Sequence, residues 1–156
     1  MTLEVTRERL RSRIGTEVHA GEWLVIDQAR IDAFAAATGD HQWIHVDRER
    51  ALRDSPWHCT IAHGFLTLSL VPMLRRAPGI AESVPFTDVR TTINYGVNRV
   101  RFMNPVREGA RIRGRSSLLS VEELPGALEL IEQFTVEIEG EKKPACVAEI
   151  VLRLYP

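Results

Sequence analysis

Titratable side chains crowd into one short segment of the chain. Residues 38–47 read TGDHQWIHVD and place Asp40 five positions before His45. A carboxylate and an imidazole that share one water form an acid–base pair, because one removes a proton while the other donates or holds one. Burial and neighbouring charges then tune the pKa of each group. Asp40 and His45 are therefore candidate catalytic residues, although an Asp at a helix end and a partly buried structural His give the same spacing.

A second segment, residues 61–65 with the sequence IAHGF, precedes a strongly apolar stretch. If that stretch is a helix, Gly64 lies at its N-terminus, where free N–H groups and a positive potential are found. A carbonyl oxygen that gains negative charge is stabilised there, as in an oxyanion hole. Gly64 is therefore a candidate catalytic residue through its backbone amide. The alternative is a glycine needed only for close helix packing.

Four of the five histidines lie within residues 41–63, which raises the question of a metal site. The candidate ligands are His41, His45, Asp47, His58 and His63. The first two histidines lie outside any clear helical period, so their rings need not converge, and no Cys pair indicates structural zinc. A nucleophile at Ser69 or Cys59 lacks a G-x-S-x-G elbow. The sequence predicts neither a bound metal nor a cofactor.

Two helices are predicted to position these groups. Asp27 is a suitable N-cap for a helix that runs to Thr38, with Gly39 following at the C′ position. A second helix, over residues 64–76, is apolar on every side, which predicts burial on every side. Pro72 is expected to kink this helix or to loosen its second half. Shorter elements are predicted at residues 22–26 (a strand) and 47–53 (a helix).

The C-terminal half alternates apolar and polar residues, which is typical of antiparallel strands with one solvated face. The phase of the alternation changes across residues 96–98, which predicts a β-bulge or bend. The strand candidates are residues 89–95, 98–102, 111–121, 128–138 and 146–154. The simplest α+β arrangement curls this sheet around the apolar helix. The edge of such a sheet commonly pairs with a second copy of the chain.

Composition and cysteine usage restrict the possible partners, location and domain number of the protein. Lys plus Arg is 20 and Asp plus Glu is 21 among 156 residues, a net charge of −1, which argues against a nucleic-acid partner. No apolar run approaches the roughly 18 residues of a membrane span. Cys59 and Cys146 form no disulfide framework or CxxC motif, and the charged N-terminus has no apolar signal segment, so a cytoplasmic location is expected. One domain over residues 1–156 is expected, with residues 1–14 as an N-terminal helical extension.

Three motifs occur in the order found in a known family. They are Gly39-Asp40-x4-His45-x-Asp47, Ile61-Ala62-His63-Gly64 and Asn104-Pro105-Val106-Arg107-Glu108-Gly109. Together they resemble the MaoC-like family of (R)-specific enoyl-CoA hydratases, and the run Gly-Asp-His-Gln-Trp-Ile-His resembles its subgroup named after the nodulation protein NodN. The resemblance extends over nearly the whole chain, residues 15–155.

The resemblance implies a hotdog fold assembled as a homodimer and a thioester substrate carried by CoA or by acyl carrier protein. The family hydrates trans-2-enoyl-CoA reversibly to (R)-3-hydroxyacyl-CoA, in pathways that include fatty acid metabolism. Asp40 and His45 match the pair that holds the water, and Gly64 matches the amide that polarises the thioester. The expected substrate-binding residues are His63, Phe65, Leu66 and Gln42, of which Phe65 and Leu66 would line the acyl tunnel.

The chain also departs from the family pattern. The motif usually reads Asp-x-Asn-Pro-x-His, and Gln42-Trp43 stands here in place of Asn-Pro. Gln42 can replace the hydrogen bonds of the Asn amide, although its longer side chain cannot do so identically. Some hydratases carry a Ser further along the central helix, where this chain has Pro72, with Ser69 one turn earlier. Two other functions fit the same fold: a thioesterase that hydrolyses the acyl–sulfur bond, and a non-catalytic acyl-CoA binding module.

Overall fold

The main structural layer is one curled antiparallel sheet. The computed structural model describes residues 3–18, 21–75 and 88–156. The strands run in the order β1–β4–β5–β6–β3, and β2 also pairs with β4. They are β1 Glu17–Val18, β2 Leu24–Val25, β3 Thr91–Phe102, β4 Arg111–Leu124, β5 Ala127–Ile138 and β6 Cys146–Tyr155. The predicted antiparallel sheet and the α+β class are confirmed.

In the described part of the chain, six short helices accompany the sheet. They are α1 Glu4–Arg11, α2 Gln28–Thr38, α3 Trp43–Val46, α4 Arg48–Asp54, α5 Gly64–Ser69 and α6 Val71–Arg75. Both predicted ends of α2 are confirmed, since Asp27 accepts a hydrogen bond from the Arg30 N–H at 2.9 Å and Gly39 adopts a φ of 76°. Glycine pays no steric penalty at that left-handed angle. None of the helices in the described ranges is long and apolar enough to cross a bilayer.

The predicted central helix is divided at Leu70 into α5 and α6. Pro72 has no N–H to donate within this turn, which is a sufficient reason for the break. The prediction of burial on every side was wrong, because Phe65 is 69% exposed and Met73 is 48% exposed. One face packs on the sheet and the other is left uncovered. The predicted end of this helix, at residue 76, lies outside the described residues.

Close packing joins α6 to the sheet. Leu74 is buried above Gly114 of β4 and Phe134 of β5. A Cβ on Gly114 would lie 2.4 Å from the Phe134 ring and 3.1 Å from Leu74, so only glycine fits beneath both. The core continues along the inward-facing row of β5, which includes Leu128, Leu130, Phe134, Val136 and Ile138. Each such large side chain contributes about 1.5–3 kcal/mol by leaving water.

Within the described residues, strand β3 forms one edge of the sheet and pairs with β6 alone. The two predicted strands of this region are one continuous strand. Its register with β6 shifts at Asn94/Gly96 and again at Val97/Arg99, which confirms the predicted bulge. Bulges increase the local twist of a strand, and they change which side chains face the core. Nearly every residue of β3 is exposed, whichever face it lies on, and four of these side chains are large and apolar: Ile93, Tyr95, Val97 and Phe102.

Candidate active site

His45 is held in one orientation by a backbone acceptor. It lies on α3, a single turn between α2 and α4, and its side chain is buried. Its Nδ1 atom is 2.7 Å from the carbonyl oxygen of Ile61. Because a carbonyl oxygen can only accept, Nδ1 carries the proton and Nε2 keeps its lone pair. The ring is therefore arranged as a base that acts through Nε2.

A second buried imidazole lies against the first. The ring of His63 stacks on His45 with centroids 3.7 Å apart and planes inclined by 26°. Phe34 of α2 contacts the His63 ring, with centroids 5.0 Å apart. The Nε2–H of His63 donates to the backbone carbonyl of Asp40 at 2.9 Å. His63 thus connects the turn that carries Asp40 to the ring of His45.

The surroundings of His45 favour its neutral form. Burial lowers the pKa of the imidazole below its ordinary value, and the neighbouring His63 lowers it further. The carbonyl of Ile61 and the carboxylate of Asp40 act in the opposite direction, but they do not outweigh burial. An imidazole with a lowered pKa is unprotonated at neutral pH and can accept a proton there.

Asp40 presents its carboxylate beside both rings. The side chain is about half exposed, and Oδ2 lies 4.0 Å from Nε2 of His63. Oδ1 accepts a weak hydrogen bond of 3.4 Å from the backbone N–H of Gln42. One ring nitrogen from each histidine and one Asp40 oxygen all lie within 4.8 Å of one another. Two hydrogen bonds of about 2.8 Å through a single water span such a gap.

The same three side chains are also the candidate metal ligands that lie close together among the described residues. Nδ1 of His45 and Nε2 of His63 both face carbonyl oxygens. In addition, the rings are stacked with nearly parallel planes, so their in-plane lone pairs do not converge on one ion. The geometry suits acid–base chemistry better than a metal centre.

Gly64 connects the helix start to a cavity of about 250 Å³. The cavity is lined by His45, Ile61, Ala62, Gly64, Thr67, Phe102, Met103, Asn104, Pro105, Val106 and Ala145. As the first residue of α5, Gly64 has no intrahelical acceptor for its N–H. A Cβ here would lie 2.9 Å from the ring of Phe102, so the missing side chain makes room for that ring. Close packing against Phe102 therefore explains why residue 64 is a glycine, and Gly64 also borders the cavity.

Backbone hydrogen bonds bring the three sequence motifs together. Ile61 donates to the carbonyl of Ile44 at 3.0 Å, which fixes the second motif beside the first. Ala62 donates to Val106 at 2.7 Å, and Glu108 donates to Thr60 at 2.9 Å. The third motif, residues 104–109, is thereby attached to the segment before Gly64 and forms one wall of the cavity.

Three of the predicted substrate-binding residues, Phe65, Leu66 and Gln42, do not line the cavity beside His45. Leu66 is buried in the core, and neither Leu66 nor Phe65 is among the residues that line the cavity. Phe65 is exposed and meets the edge of Phe102, with centroids 5.6 Å apart. The exposed side chain of Gln42 makes no hydrogen bond to any described residue, so the expected replacement of the Asn amide is not seen.

Trp43 occupies the first position of α3, the place where the family motif has Pro. Pro is favoured at such a position because the N–H that it lacks is not needed in the first turn of a helix. Here the indole packs under the Arg50 guanidinium, 4.5 Å from the ring centroid, so α3 is held against α4 instead. His41 and His58 are exposed and lie outside the cluster, while His19 lies outside the described residues.

Sequence reasoning missed a buried charge in the sheet. Glu132 falls on the inward phase of β5, is 8% exposed, and accepts a hydrogen bond from Arg75 at 2.6 Å. Strict alternation along β5 was a signal that could have identified it. The alternative of a Ser69 nucleophile gains no support, because the Ser69 hydroxyl donates to the Leu66 carbonyl at 2.8 Å.

Comparison with known proteins defines the class to which this fold and site belong. The sequence profile described as MaoC like domain matches residues 9–127, and the chain belongs to that family. It is 47% identical over 145 residues to 3-hydroxyacyl-thioester dehydratase Z of Mycobacterium tuberculosis (strain H37Rv), covering 92% of each chain. It is also 47% identical over 149 residues to nodulation protein N of Rhizobium leguminosarum bv. viciae, covering 93% of this chain and 88% of the relative.

Solved structures agree on the fold. R-hydratase PhaJ1 from Pseudomonas aeruginosa, in its unliganded form, superposes with a TM-score of 0.66 at 24% identity. The match covers 92% of this chain and 81% of that one. The curled sheet and its central helix are therefore a hotdog fold, as the sequence motifs had implied.

Proposed function

We propose that this protein interconverts trans-2-enoyl and (R)-3-hydroxyacyl thioesters by adding or removing water. One observation carries the proposal: a neutral imidazole, fixed by the Ile61 carbonyl, lies within one water's reach of the Asp40 carboxylate. The cavity beside His45 supplies a place for the reacting carbons. A relative at 47% identity that is named a 3-hydroxyacyl-thioester dehydratase supports the same substrate class.

Hydration begins with the thioester carbonyl against the amide of Gly64. Its N–H withdraws electron density from the conjugated system and makes the β-carbon electrophilic. Nε2 of His45 accepts a proton from the bound water, and the water oxygen forms a bond to the β-carbon. The alkene electron pair moves to the α-carbon and the carbonyl as an enolate. A proton from the Asp40–His45 pair then forms the new α-carbon–hydrogen bond, which restores both residues to their starting states.

A homodimer is part of this proposal. The edge of β3 exposes a row of apolar side chains next to the exposed Phe65 of α5. An uncovered edge strand with apolar residues is a pairing surface, and two-fold pairing with a second copy covers both edges at once. The cavity is bordered by Phe102 and Met103 at the end of this strand. The second copy would therefore lie beside the substrate entrance.

The proposal also includes a reducing, cytoplasmic location for the protein. Cys59 and Cys146 are both free thiols. Free thiols persist where glutathione and thioredoxin keep them reduced. The proposed substrates, thioesters of CoA or acyl carrier protein, are used in the same compartment.

The test is a hydration assay on trans-2-enoyl-CoA substrates of increasing chain length. Loss of the enoyl absorbance is followed together with free thiol, and the stereochemistry of the product is determined by chiral chromatography. We expect loss of enoyl absorbance with (R)-3-hydroxyacyl-CoA as product and no thiol release. Thiol release without the hydroxy product identifies a thioesterase. Calorimetric binding without turnover at any chain length identifies a binding module.

A further inference from the structure

Gln28 makes contacts that the proposed mechanism does not use. It is the first residue of α2, directly after the N-cap Asp27, and it is half-buried. Its Nε2 donates to the backbone carbonyl of His45 at 2.8 Å and to Oδ1 of Asp32 at 2.7 Å. Its Oε1 accepts a hydrogen bond from the hydroxyl of the buried Thr60. Both ends of the side-chain amide are therefore engaged.

These contacts close a ring of hydrogen bonds around the imidazole. Gln28 holds the peptide of His45 on one side and Thr60 on the other. Thr60 immediately precedes Ile61, whose carbonyl accepts the proton of His45 Nδ1 at 2.7 Å. The amide thus connects the residue that carries the ring to the Thr60–Ile61 segment, whose carbonyl orients the ring.

The orientation of the amide is fixed by its partners. The Nε2 side faces two acceptors, a carbonyl oxygen and a carboxylate oxygen, while the Oε1 side faces a hydroxyl. A flipped amide would place an oxygen against both acceptors, at an electrostatic cost. A glutamate has nearly the same shape but cannot donate, so it cannot replace this residue.

We propose that Gln28 is a positioning residue for the proposed reaction: it sets the distance between His45 and the Ile61 carbonyl and thereby keeps the imidazole proton on Nδ1. Nε2 then stays free to accept a proton from water. The assignment rests on the hydratase function proposed above, but it concerns the state of His45 before any substrate binds.

Activity measurements test this role first. We expect Gln28→Leu and Gln28→Glu to lower kcat on an enoyl-CoA substrate about 10-fold while KM changes less than about 2-fold, because the base is misplaced and the binding surface is intact. Thr60→Val should reproduce the loss, and Thr60→Ser, which keeps the hydroxyl, should restore activity. Gln133→Leu and Gln133→Glu, at an exposed position of β5, are the matched controls and should leave kcat unchanged.

The tautomer of His45 is read without substrate by 15N NMR of histidine-labelled protein, with His45→Ala providing the assignment. In the wild-type chain the His45 signals should report a proton on Nδ1, and in Gln28→Leu a mixture of both tautomers. Unchanged signals together with wild-type kcat would overturn the assignment of Gln28. If the wild-type protein does not hydrate enoyl thioesters but the His45 signals do shift in the variant, the proposed function fails and the structural role of Gln28 remains.

Discussion

The imidazole of His63 stacks on that of His45, and this contact favours the neutral form of His45. Their centroids are 3.7 Å apart, so two positive charges at this distance would repel strongly. Each ring nitrogen that faces a carbonyl, Nδ1 of His45 and Nε2 of His63, must carry a proton. Both rings satisfy this requirement while neutral, and the neighbouring His63 adds to the effect of burial in lowering the pKa of His45.

The first prediction concerns pH. Burial and His63 lower the pKa of His45, so its neutral, active form persists below the ordinary histidine pKa of about 6.5. The acid limb of kcat/KM should therefore lie below about pH 6.5 in the wild-type enzyme. His63→Gln removes the neighbouring ring, so the limb should move to higher pH. His58→Asn, which changes an exposed imidazole outside the site, should leave the profile in place, and a shift to lower pH in His63→Gln would contradict the interpretation.

The second prediction concerns the acid–base pair. Asp40→Asn and His45→Ala should each reduce hydration of crotonyl-CoA by about 10²-fold or more, because each removes a proton acceptor from the site. Circular dichroism establishes that the variants are folded. Asp54→Asn, at an exposed carboxylate on α4, is the control for Asp40→Asn and should retain wild-type rates. Full activity in either folded site variant would show that the assignment is wrong.

The third prediction concerns the packing role of Gly64. Gly64→Ala places a methyl group 2.9 Å from the Phe102 ring, and the resulting overpacking should lower the free energy of unfolding by about 1–3 kcal/mol. Phe102→Leu in the same chain should recover part of that loss by making space. Urea unfolding measures both. The Gly114→Ala variant should be less stable than Gly64→Ala, because its Cβ would meet Phe134 at 2.4 Å. An equal loss of unfolding free energy in Gly64→Ala and in the double variant with Phe102→Leu would argue against the Phe102 contact.

The fourth prediction concerns assembly. Val97 is 45% exposed on the β3 edge, and a charge there opposes strand pairing between copies. Light scattering after size exclusion should give the mass of a dimer for the wild-type chain and of a monomer for Val97→Lys. Leu119→Lys is the matched control, because Leu119 is 42% exposed on β4, away from that edge. A monomeric wild-type chain would exclude the proposed dimer.

Local chemistry made much of this protein predictable. Asp27 and Gly39 marked both ends of α2 because capping needs a side-chain acceptor at one end and a left-handed backbone at the other. The alternation along β5 predicted its inward face, since side chains in a strand point to opposite sides. The phase change near Gly96 predicted the irregular register of β3.

Contacts between residues that are far apart in sequence could not be predicted by these local rules. The all-apolar pattern after Gly64 predicted a helix buried on every side, but Phe65 is exposed, because burial depends on what the sheet covers. Glu132 sits in an apolar row because Arg75 comes within 2.6 Å of it, across 57 positions of sequence. No spacing rule links residues that far apart.

The sequence by itself determined the residue types of the site, the order of the motifs and the elements that carry them. The motifs had already pointed to His45, and only the tertiary structure decided how its ring is oriented as a base. His41, His45 and His63 are chemically identical side chains, and their difference comes from burial and from the acceptors opposite their ring nitrogens. The acceptors of His45 and His63 are backbone carbonyls of distant segments, and every residue has such a carbonyl. Their positions therefore depend on how the chain folds and leave no signature in the sequence.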